Sequence, residues 1–370
     1  MDRCVLALSS NSNPEEAFSE VVTQLQAKKA APILIIVFSE INLLGYCAKL
    51  LQKEYQNAIV IGCSTYVNFS SEGYSHSGIS VMAINEGVEC TAEVVYDASN
   101  YPCMYKAHIT KALNELSSHE NTCCLEFTTA FTNGEDLVLD TFQEALEGTN
   151  ITVIGGTAGA DAEQKNSLVT LNGELYTNSC VFVFIHNLNG RIKFFKENIY
   201  RPTKNKFVIT DVDCEHQLVY EYNGLPAADV MAEVLGVSMD QLAQKLAEHP
   251  MGRIVNNDIQ ITQSNKVRED GAISYLARIY NHTKMVLLEA DDLQKVWSET
   301  VERIKNDIDA PSFCISVSCL LRSQLFERNN KFGEFVNTLR NFGCFIGVSG
   351  YGEQLGNVHF NQTMVLAVFE

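Results

Sequence analysis

The sequence contains no apolar run long enough to cross a membrane, and its first strand-like segment lacks the long apolar core of a secretory signal peptide. Positive charge is scarce, because 27 lysine and arginine residues stand against 45 aspartate and glutamate residues, for a formal net charge of −18. Nucleic acids and anionic membrane surfaces bind basic patches, and the chain has no dense cluster of lysine and arginine. We therefore expect neither nucleic acid nor a membrane as a partner.

The 12 cysteines form no regular framework, and the Cys-x-x-Cys and His-Glu-x-x-His spacings of metal sites are both absent. Many cysteines lie inside apolar stretches, namely Cys123, Cys180, Cys314, Cys319 and Cys344. Buried thiols of this kind are usually reduced and inert. We therefore expect reduced cysteines and a cytoplasmic protein.

A short apolar segment ends in a glycine-rich loop with a hydroxyl residue at three places: Ala58–Thr65, Ile151–Asp161 and Cys344–Glu353. Each segment has the length and β-branched or aromatic composition of a buried strand, and each loop follows the strand's carboxyl end. Around each loop the chain repeats the order helix, strand, helix, strand, glycine loop, strand. Three copies of one pattern indicate internal duplication.

These patterns predict an α/β fold with two domains of mixed β-sheet flanked by helices, built from the repeated unit. A chain of 370 residues is long enough for two such domains. We place the boundary at the connector Arg201–Lys204, so that residues 1–200 contain two repeat units. Residues 201–370 then contain the third unit together with inserted hairpins and helices.

The order of these motifs resembles the FIST sensory family, in which an amino-terminal and a carboxyl-terminal FIST domain are paired. The segments that carry the resemblance are Ile61–Thr65, Gly155–Asp161, Gly224–Ala227, Phe313–Arg322, Gly350–Glu353 and Asn361–Thr363. They span essentially the whole chain in the family's order. The resemblance implies a FIST N-type domain over 1–200, a FIST C-type domain over 201–370, and a non-enzymatic receptor that regulates a signalling partner.

Two ligand classes follow from this resemblance. A subset of stand-alone family members of similar length binds haem b, senses nitric oxide and controls a histidine kinase, and this is our most specific expectation. Amino acids are the alternative ligands. The family often has a histidine directly before its final Asn-x-Thr, whereas Phe360 stands there and His359 lies one residue earlier. No F-box-like segment precedes the first strand, which separates the chain from the ubiquitin-ligase members.

The glycine loops contain most of the candidate ligand-binding residues. Glycine lets a ligand approach the backbone, and successive N–H groups can bind a carboxylate or a haem propionate. The nearby acids could hold an ammonium group. The full candidate set is Gly62, Cys63, Ser64, Thr65, Gly155, Gly156, Thr157, Asp161, Arg322, Ser349, Gly350, Tyr351, Glu353, His359 and Asn361. The alternative is that the glycines serve only tight turns and close strand packing.

His186 is the candidate haem ligand and hence the candidate metal-binding residue. It follows the apolar run Val181–Ile185, and Phe194 and Phe195 come soon after it. Axial haem ligation requires a neutral imidazole beside an apolar wall. The alternative is a loop histidine that caps a strand end. His76 and His359 are the reserve ligands.

Catalysis is less well supported, and we expect no catalytic residue. Ser349 lies in an incomplete Gly-x-Ser-x-Gly pattern, because Tyr351 replaces the second glycine. Cys63 has no histidine near it in sequence that would lower the pKa of its thiol. The Gly155 loop runs into polar residues and not into the apolar helix of a dinucleotide-binding motif. A hydrolytic or thiol-dependent enzyme using Ser349 or Cys63 is the alternative from another class.

Overall fold

The computed structural model describes residues 2–159, 166–255 and 258–370. The chain forms two compact units: Met1–Glu197, Trp297–His359 and Met364–Glu370 make up the first, and Asn198–Val296 with Phe360–Thr363 the second. The predicted fold class is confirmed, since mixed sheets are flanked by helices. The predicted boundary at 200/201 lies close to the first break between the units. Most of the third repeat, however, belongs to the first unit.

Nine α-helices lie within the described residues. The first starts directly after Asn13, whose side-chain oxygen accepts hydrogen bonds from the peptide N–H groups of Glu15 and Glu16, as expected for an N-cap residue. The α-helices of the described residues are Pro14–Ala27 (α1), Ile41–Glu54 (α2), Lys106–Asn114 (α3), Glu135–Ala145 (α4), Ala227–Leu235 (α5), Met239–Glu248 (α6), Leu293–Asp307 (α7), Leu320–Arg328 (α8) and Phe332–Leu339 (α9). Short 3₁₀ turns span Pro102–Tyr105 and Arg340–Phe342.

The strands of the described residues are short, and the longest has a register shift along its length. In chain order they are Cys4–Ser9 (β1), Leu34–Ser39 (β2), Ile59–Ser64 (β3), Asn68–Ser70 (β4), Gly73–Ser75 (β5), Ile79–Ile84 (β6), Val88–Tyr96 (β7), Thr122–Thr128 (β8), Thr152–Thr157 (β9), Val169–Leu171 (β10), Glu174–Tyr176 (β11), Ser179–Asn187 (β12), Ile192–Asn198 (β13), Tyr200–Asp213 (β14), Leu218–Tyr222 (β15), Leu225–Pro226 (β16), Met251–Val255 (β17), Asp258–Thr262 (β18), Ser264–Val267 (β19), Ile273–Tyr275 (β20), Lys284–Ala290 (β21), Phe313–Cys319 (β22), Cys344–Gly350 (β23), Gly352–Leu355 (β24), Val358–Phe360 (β25) and Thr363–Phe369 (β26).

The predicted threefold repetition is confirmed by three equivalent sheets. Their strand orders are β1-β6-β2-β3-β10-β11 (sheet one), β25-β24-β9-β8-β12-β7 (sheet two) and β13-β26-β22-β23-β4-β5 (sheet three). In each sheet a parallel pair is followed in the chain by a strand that lies antiparallel to the first member of the pair. A helix connects the parallel strands, because a parallel pair requires a long crossover.

The three repeats exchange their hairpins in a cycle. The hairpin β4–β5 follows β3 in the chain, yet it joins sheet three beside β23. Likewise β10–β11 of the second repeat joins sheet one beside β3, and β24–β25 of the third repeat joins sheet two beside β9. Each sheet therefore contains strands from two repeats. This pairing is why the third repeat folds with residues 1–197.

The core of the first unit lies between the three sheets. Its central cluster contains apolar side chains from all three parallel pairs, for example Phe38, Phe127 and Val317. Helices cover the outer faces: α1 and α2 pack on sheet one, and α3 and α4 pack on sheet two. On the α8–α9 side, Phe326 and Phe335 pack against each other. The outer and inner faces alternate along each strand, so each strand has one core face and one helix face.

The second unit is built on one sheet with the order β18-β17-β21-β14-β15-β20-β19, with β16 beside β15. Its core includes Phe207, Tyr222 and Met231, and the hydroxyl groups of Tyr222 and Tyr275 are hydrogen-bonded to each other. Among the described residues, no helix of either unit is both long enough and apolar enough to span a membrane.

The expectation that all cysteines are reduced is wrong for one pair. Cys4 on β1 forms a disulfide with Cys344 at the start of β23, across 340 residues of sequence. The hairpin exchange and the central core bring the first strand of the chain beside the third repeat. No local sequence pattern indicates this contact, because the two cysteines are 340 residues apart. The other ten cysteines are free.

Candidate functional site

The three glycine segments meet in the structure, although Gly62, Gly155 and Gly347 lie inside β3, β9 and β23 and not in the predicted loops. The peptide N–H of Ser349 donates to Thr65 Oγ1 (3.1 Å), and that of Tyr66 donates to the carbonyl oxygen of Ser349 (3.0 Å). The loop after β9 joins them, since Gly159 N–H donates to the carbonyl oxygen of Ser64 at 2.8 Å. Tyr351 N–H likewise donates to the carbonyl oxygen of Thr157 (3.0 Å). The three segments are therefore neighbours in the fold.

These loop amides, however, have protein acceptors. The glycines are explained by close packing: a Cβ atom at Gly350 would lie 2.0 Å from the carbonyl oxygen of Thr157, and one at Gly62 would lie 1.7 Å from that of Val37. At Gly156 the obstacle is the side chain of Val317, at 2.5 Å. Ser64 Oγ is also engaged, with the carbonyl oxygen of Gly159. A ligand role for these loop residues stays a prediction, and their geometry does not add to it.

Arg322 is the predicted residue with the most unusual environment. It lies in the first turns of α8 and is fully buried. Its partner Glu197 lies on β13, and only 3% of the Glu197 side chain is exposed. Glu197 Oε1 pairs with Nη2 of the guanidinium, whose plane also lies near the rings of Phe326 and Phe335. Nε and Nη1 of Arg322 have no hydrogen-bond partner in the described structure.

Buried serine hydroxyls lie near the start of α8. Ser316 and Ser318 point away from the central cluster, because Ile315 and Val317 occupy the other face of β22. Neither hydroxyl has a hydrogen-bond partner among the described residues. Ser318 lies opposite Ser349 in the parallel pair, and Ser349 Oγ donates to Ser323 Oγ of α8 at 2.8 Å. We call Arg322, Glu197, Ser316, Ser318, Ser323 and Ser349 the Arg322 cluster.

A second buried polar cluster occupies the equivalent strand ends of sheet two. Glu126 on β8 is fully buried, and burial raises the pKa of its carboxyl group to about 8. Burial likewise raises the pKa of Glu135, at the start of α4, to about 7, and its carboxyl is hydrogen-bonded to the side chain of Thr157. Gln354 on β24 is fully buried as well. None of the three residues was predicted, although a glutamate inside the apolar run Cys123–Phe127 indicates a buried acid.

The remaining candidate residues are dispersed. Glu353 is buried opposite Gly156 in the β24–β9 pair. His359 packs against Gly352, and its Nδ1 lies 3.4 Å from Gln354 Nε2. Tyr351 packs edge-on against Phe131, with ring centroids 4.8 Å apart. Asn361 belongs to the second unit, and Asp161 lies outside the described residues.

His186 is not at the mouth of a strand but inside β12, paired with Glu89 on one side and Thr122 on the other. Its Nδ1 is 3.2 Å from Thr122 Oγ1, an orienting bond that a metal-ligating histidine often has. It shares a strand face with Phe182 and Phe184, whereas Phe194 packs against the central cluster. The predicted aromatic wall is therefore not on the side of the imidazole.

A mostly polar cleft lies beside Thr122, the hydrogen-bond partner of His186. Thr122 lines a cleft of about 590 Å³, but His186 does not line it. Two apolar side chains, Ile192 and Phe194, line the cleft. Most of the other lining residues are polar: His119, Glu120, Asn121, Thr149 and Asn150. A haem would require a largely apolar slot at the imidazole. The reserve ligand His76 is exposed and pairs with Glu327 at 2.9 Å. Within the described ranges, no three His, Cys, Asp or Glu side chains are grouped to hold a metal ion.

The two catalytic alternatives gain no support from their surroundings. Cys63 is buried, and burial together with the charge of Glu126 raises the pKa of its thiol well above the ordinary value. A protonated thiol is a poor nucleophile. Ser349 is fully buried, and Ser323, the partner of its hydroxyl, is not a general base.

Comparison with known proteins agrees with the motif order. The FIST N domain family model matches residues 33–225, and the FIST C domain model matches residues 227–355. An uncharacterized protein of Methanocaldococcus jannaschii is 25% identical over 302 residues, which are 75% of this chain and 57% of that protein. A crystal structure of the hydrogenase maturation protein HypE aligns with 77% of this chain and 72% of the HypE chain, at 7% sequence identity. The TM-score of 0.15 is too low to indicate a shared fold.

Proposed function

Because this chain belongs to the FIST family, whose domains are sensory and bind small ligands, we propose that it is a receptor for a small carboxylate-bearing molecule, with free amino acids as the first class to test. We assign recognition of the carboxylate to Arg322. The proposal includes a non-enzymatic role, a cytoplasmic location and a signalling partner, for which a histidine kinase is the first candidate.

The observation that carries the proposal is the unsatisfied guanidinium. Nε and Nη1 of Arg322 have no partner among the described residues, although the side chain is fully buried. Leaving buried charged donors unpaired is costly, and a bound carboxylate could accept from both in a bidentate arrangement. Ser316 and Ser318 offer further unpartnered hydroxyls. Arg322 also lies in the first turns of α8, where the helix dipole favours an anion.

Burial supports a role in sensing as well as in binding. A ligand can reach the Arg322 cluster only if the elements around it open, because Arg322 is fully enclosed. Binding would then favour one arrangement of α8 and its neighbours over another, which is how a ligand shifts a population of states. The competing explanation is that Arg322 has only a structural role, in which the ion pair with Glu197 and the contacts with the aromatic rings are sufficient.

The test is a binding screen of the full chain with the free amino acids and simple mono- and dicarboxylates. A true ligand should raise the melting temperature in a concentration-dependent way and give saturable calorimetric binding. Arg322→Met should abolish the effect, and Arg322→Met with Glu197→Met should do the same without leaving an unpaired acid. Arg340→Met, which changes an exposed arginine, is the matched control. If no carboxylate binds, or if binding survives in both Arg322 variants, the proposal fails.

Haem-based nitric oxide sensing is the second candidate, favoured by the bond between Thr122 Oγ1 and His186 Nδ1. A bound haem would supply an iron that takes up nitric oxide, and His186 would be the residue that holds it. Haem titration should then produce a strong Soret band that moves with nitric oxide and weakens in His186→Ala. Thr122→Val should weaken it less, because it removes only the orienting bond. A protein that takes up no haem, or a His186→Ala variant that takes it up normally, contradicts this assignment.

A further inference from the structure

The cleft beside Thr122 has three walls, all of them in the first unit. Its volume of about 590 Å³ is within the range of small-molecule sites. Residues 119–122, which lead into β8, form one wall, and residues 148–150, which lead into β9, form the second. Ile192 and Phe194 form the third; they are two residues apart on β13 and so point to the same side. The cleft therefore lies at the amino ends of β8 and β9, at the opposite end from the glycine segments.

Hydrogen bonds to backbone hold both loops of the cleft in place. Thr122 Oγ1 donates to the carbonyl oxygen of Ser118 at 3.2 Å, which closes the first loop on itself. In the second loop, Thr149 Oγ1 donates to the carbonyl oxygen of Leu146 at 2.8 Å. A ligand that binds between preorganised loops loses less free energy to the ordering of the protein.

The polar side chains that line the cleft keep hydrogen-bonding groups available to a ligand. No described residue forms a hydrogen bond with the side-chain amide of Asn121 or Asn150, or with the carboxylate of Glu120. Each amide has both donors and an acceptor, and the carboxylate adds acceptors. No lysine or arginine is among the described residues that line the cleft. The cleft therefore offers mixed donors and acceptors and no positive charge.

We propose that this cleft binds a neutral cyclic polyol, of which a sugar is the first class to test. Each hydroxyl of a sugar can both donate and accept, which matches the amides of Asn121 and Asn150 and the carboxylate of Glu120. The C–H face of the ring would pack against Ile192 and Phe194. An anion is a poorer match, because the described walls have no cation. An apolar molecule would leave the amides unsatisfied.

This cleft is separate from the Arg322 cluster. Arg322 lies on α8 and follows β22 of sheet three, whereas two walls of the cleft precede β8 and β9 of sheet two. The inference therefore does not rest on carboxylate recognition. A sugar without a carboxyl group tests it alone, and the failure of either proposal leaves the other untouched.

The experiment titrates D-glucose and maltose into the full chain and follows saturation-transfer difference NMR signals of the sugar, which detect weak binding. At least one of the two sugars should give a saturable signal. Cyclohexanol has a six-membered ring with one hydroxyl, and we expect no saturation with it. D-glucuronate carries a carboxylate that Glu120 repels, so it should bind more weakly than D-glucose does.

Two variants place the sugar in the cleft. Asn121 has a φ of 48°, which glycine adopts without strain, so Asn121→Gly removes the amide and keeps the backbone. Asn121→Gly and Asn150→Ala should each raise Kd about threefold to tenfold, the factor expected for one lost hydrogen bond. Asn133→Gly is the matched control, because Asn133 has a φ of 53°, is exposed and does not line the cleft. It should bind as the native protein does.

Three results would overturn the proposal. Absence of saturable binding by both sugars would mean that only water occupies the cleft. Saturable binding of cyclohexanol at the affinity of the sugar would mean that apolar contact is sufficient and that the hydroxyls are not recognised. Native affinity in folded Asn121→Gly and Asn150→Ala proteins would place the sugar elsewhere on the chain.

Discussion

The guanidinium of Arg322 and the carboxylate of Glu197 form an ion pair that is almost entirely enclosed by protein, although 125 residues separate them in the sequence. Removing one partner of a buried pair leaves an uncompensated charge, which typically costs about 3–5 kcal/mol. We expect Glu197→Gln to lower the free energy of unfolding by that amount in urea denaturation.

The exposed pair Lys106–Glu144 supplies the control for that prediction. Its charges lie 2.7 Å apart in solvent, so Lys106→Met should change the free energy of unfolding far less than Glu197→Gln does. The double variant Arg322→Met with Glu197→Met should recover much of the loss, because it removes both charges. Equal effects at the buried and the exposed pair would contradict the burial of Arg322.

The acid of sheet two should make stability depend on pH. Burial raises the pKa of Glu126 from 4.5 to about 8, so the folded chain holds a proton that the unfolded chain releases. The resulting stability is fully present below pH 4.5 and is lost as pH rises toward 8, by up to about 1.4 kcal/mol per pH unit. Glu126→Gln should reduce this slope to the part that Glu135 contributes below about pH 7, and it should be more stable than the native protein at pH 8. Exposed Glu147→Gln should keep the native slope in the same urea series at pH 5–9.

The disulfide between Cys4 and Cys344 should be a measurable source of stability. It closes a loop of about 340 residues, for which the chain-entropy estimate is about 6 kcal/mol. A thiol reductant should lower the melting temperature of the native protein and leave Cys344→Ser unchanged. Cys103→Ser, which alters an exposed free cysteine, should respond to the reductant like the native protein. A reductant-insensitive native protein whose free-thiol count is 12 would show that the bond does not form.

Close packing at the loop glycines predicts a sharp difference between two alanine substitutions. Gly350→Ala would place Cβ 2.0 Å from the carbonyl oxygen of Thr157, so backbone must move and we expect a loss of at least about 2 kcal/mol. Gly333 lies in α9, where Cβ meets only the Tyr74 hydroxyl oxygen at 4.0 Å. Gly333→Ala should therefore stabilise the protein by about 0.5–1 kcal/mol. Chemical denaturation of both variants decides whether the loops are as tightly packed as the distances indicate.

The local patterns of the chain were enough to predict the repeat, because hydrophobic period and glycine placement are properties of neighbouring residues. Strands were predicted at Ile59–Ile61, Ile151–Ile154 and Phe345–Ile346, but they continue to Ser64, Thr157 and Gly350, so the glycines lie within strands and not in loops after them. Arg322 was identified only through the family resemblance, and its pairing with Glu197 could not be read from spacing. Glu126 and Gln354 were missed because both are buried by pairing between strands that are distant in the sequence. The residues next to them in the chain do not indicate that burial.

The sequence by itself determined the main helices and strands, the threefold repetition and the family, since each follows from periodicity or from motifs in a fixed order. It did not indicate α8 or the hairpins β4–β5, β10–β11 and β24–β25. Tertiary structure alone decided the hairpin exchange, the bond between Cys4 and Cys344, and the burial of the two polar clusters. The physical reason is that strand pairing and desolvation are set by contacts between distant segments. Such contacts leave no period in the chain, so only the folded protein reveals which polar atoms have lost water without gaining a partner.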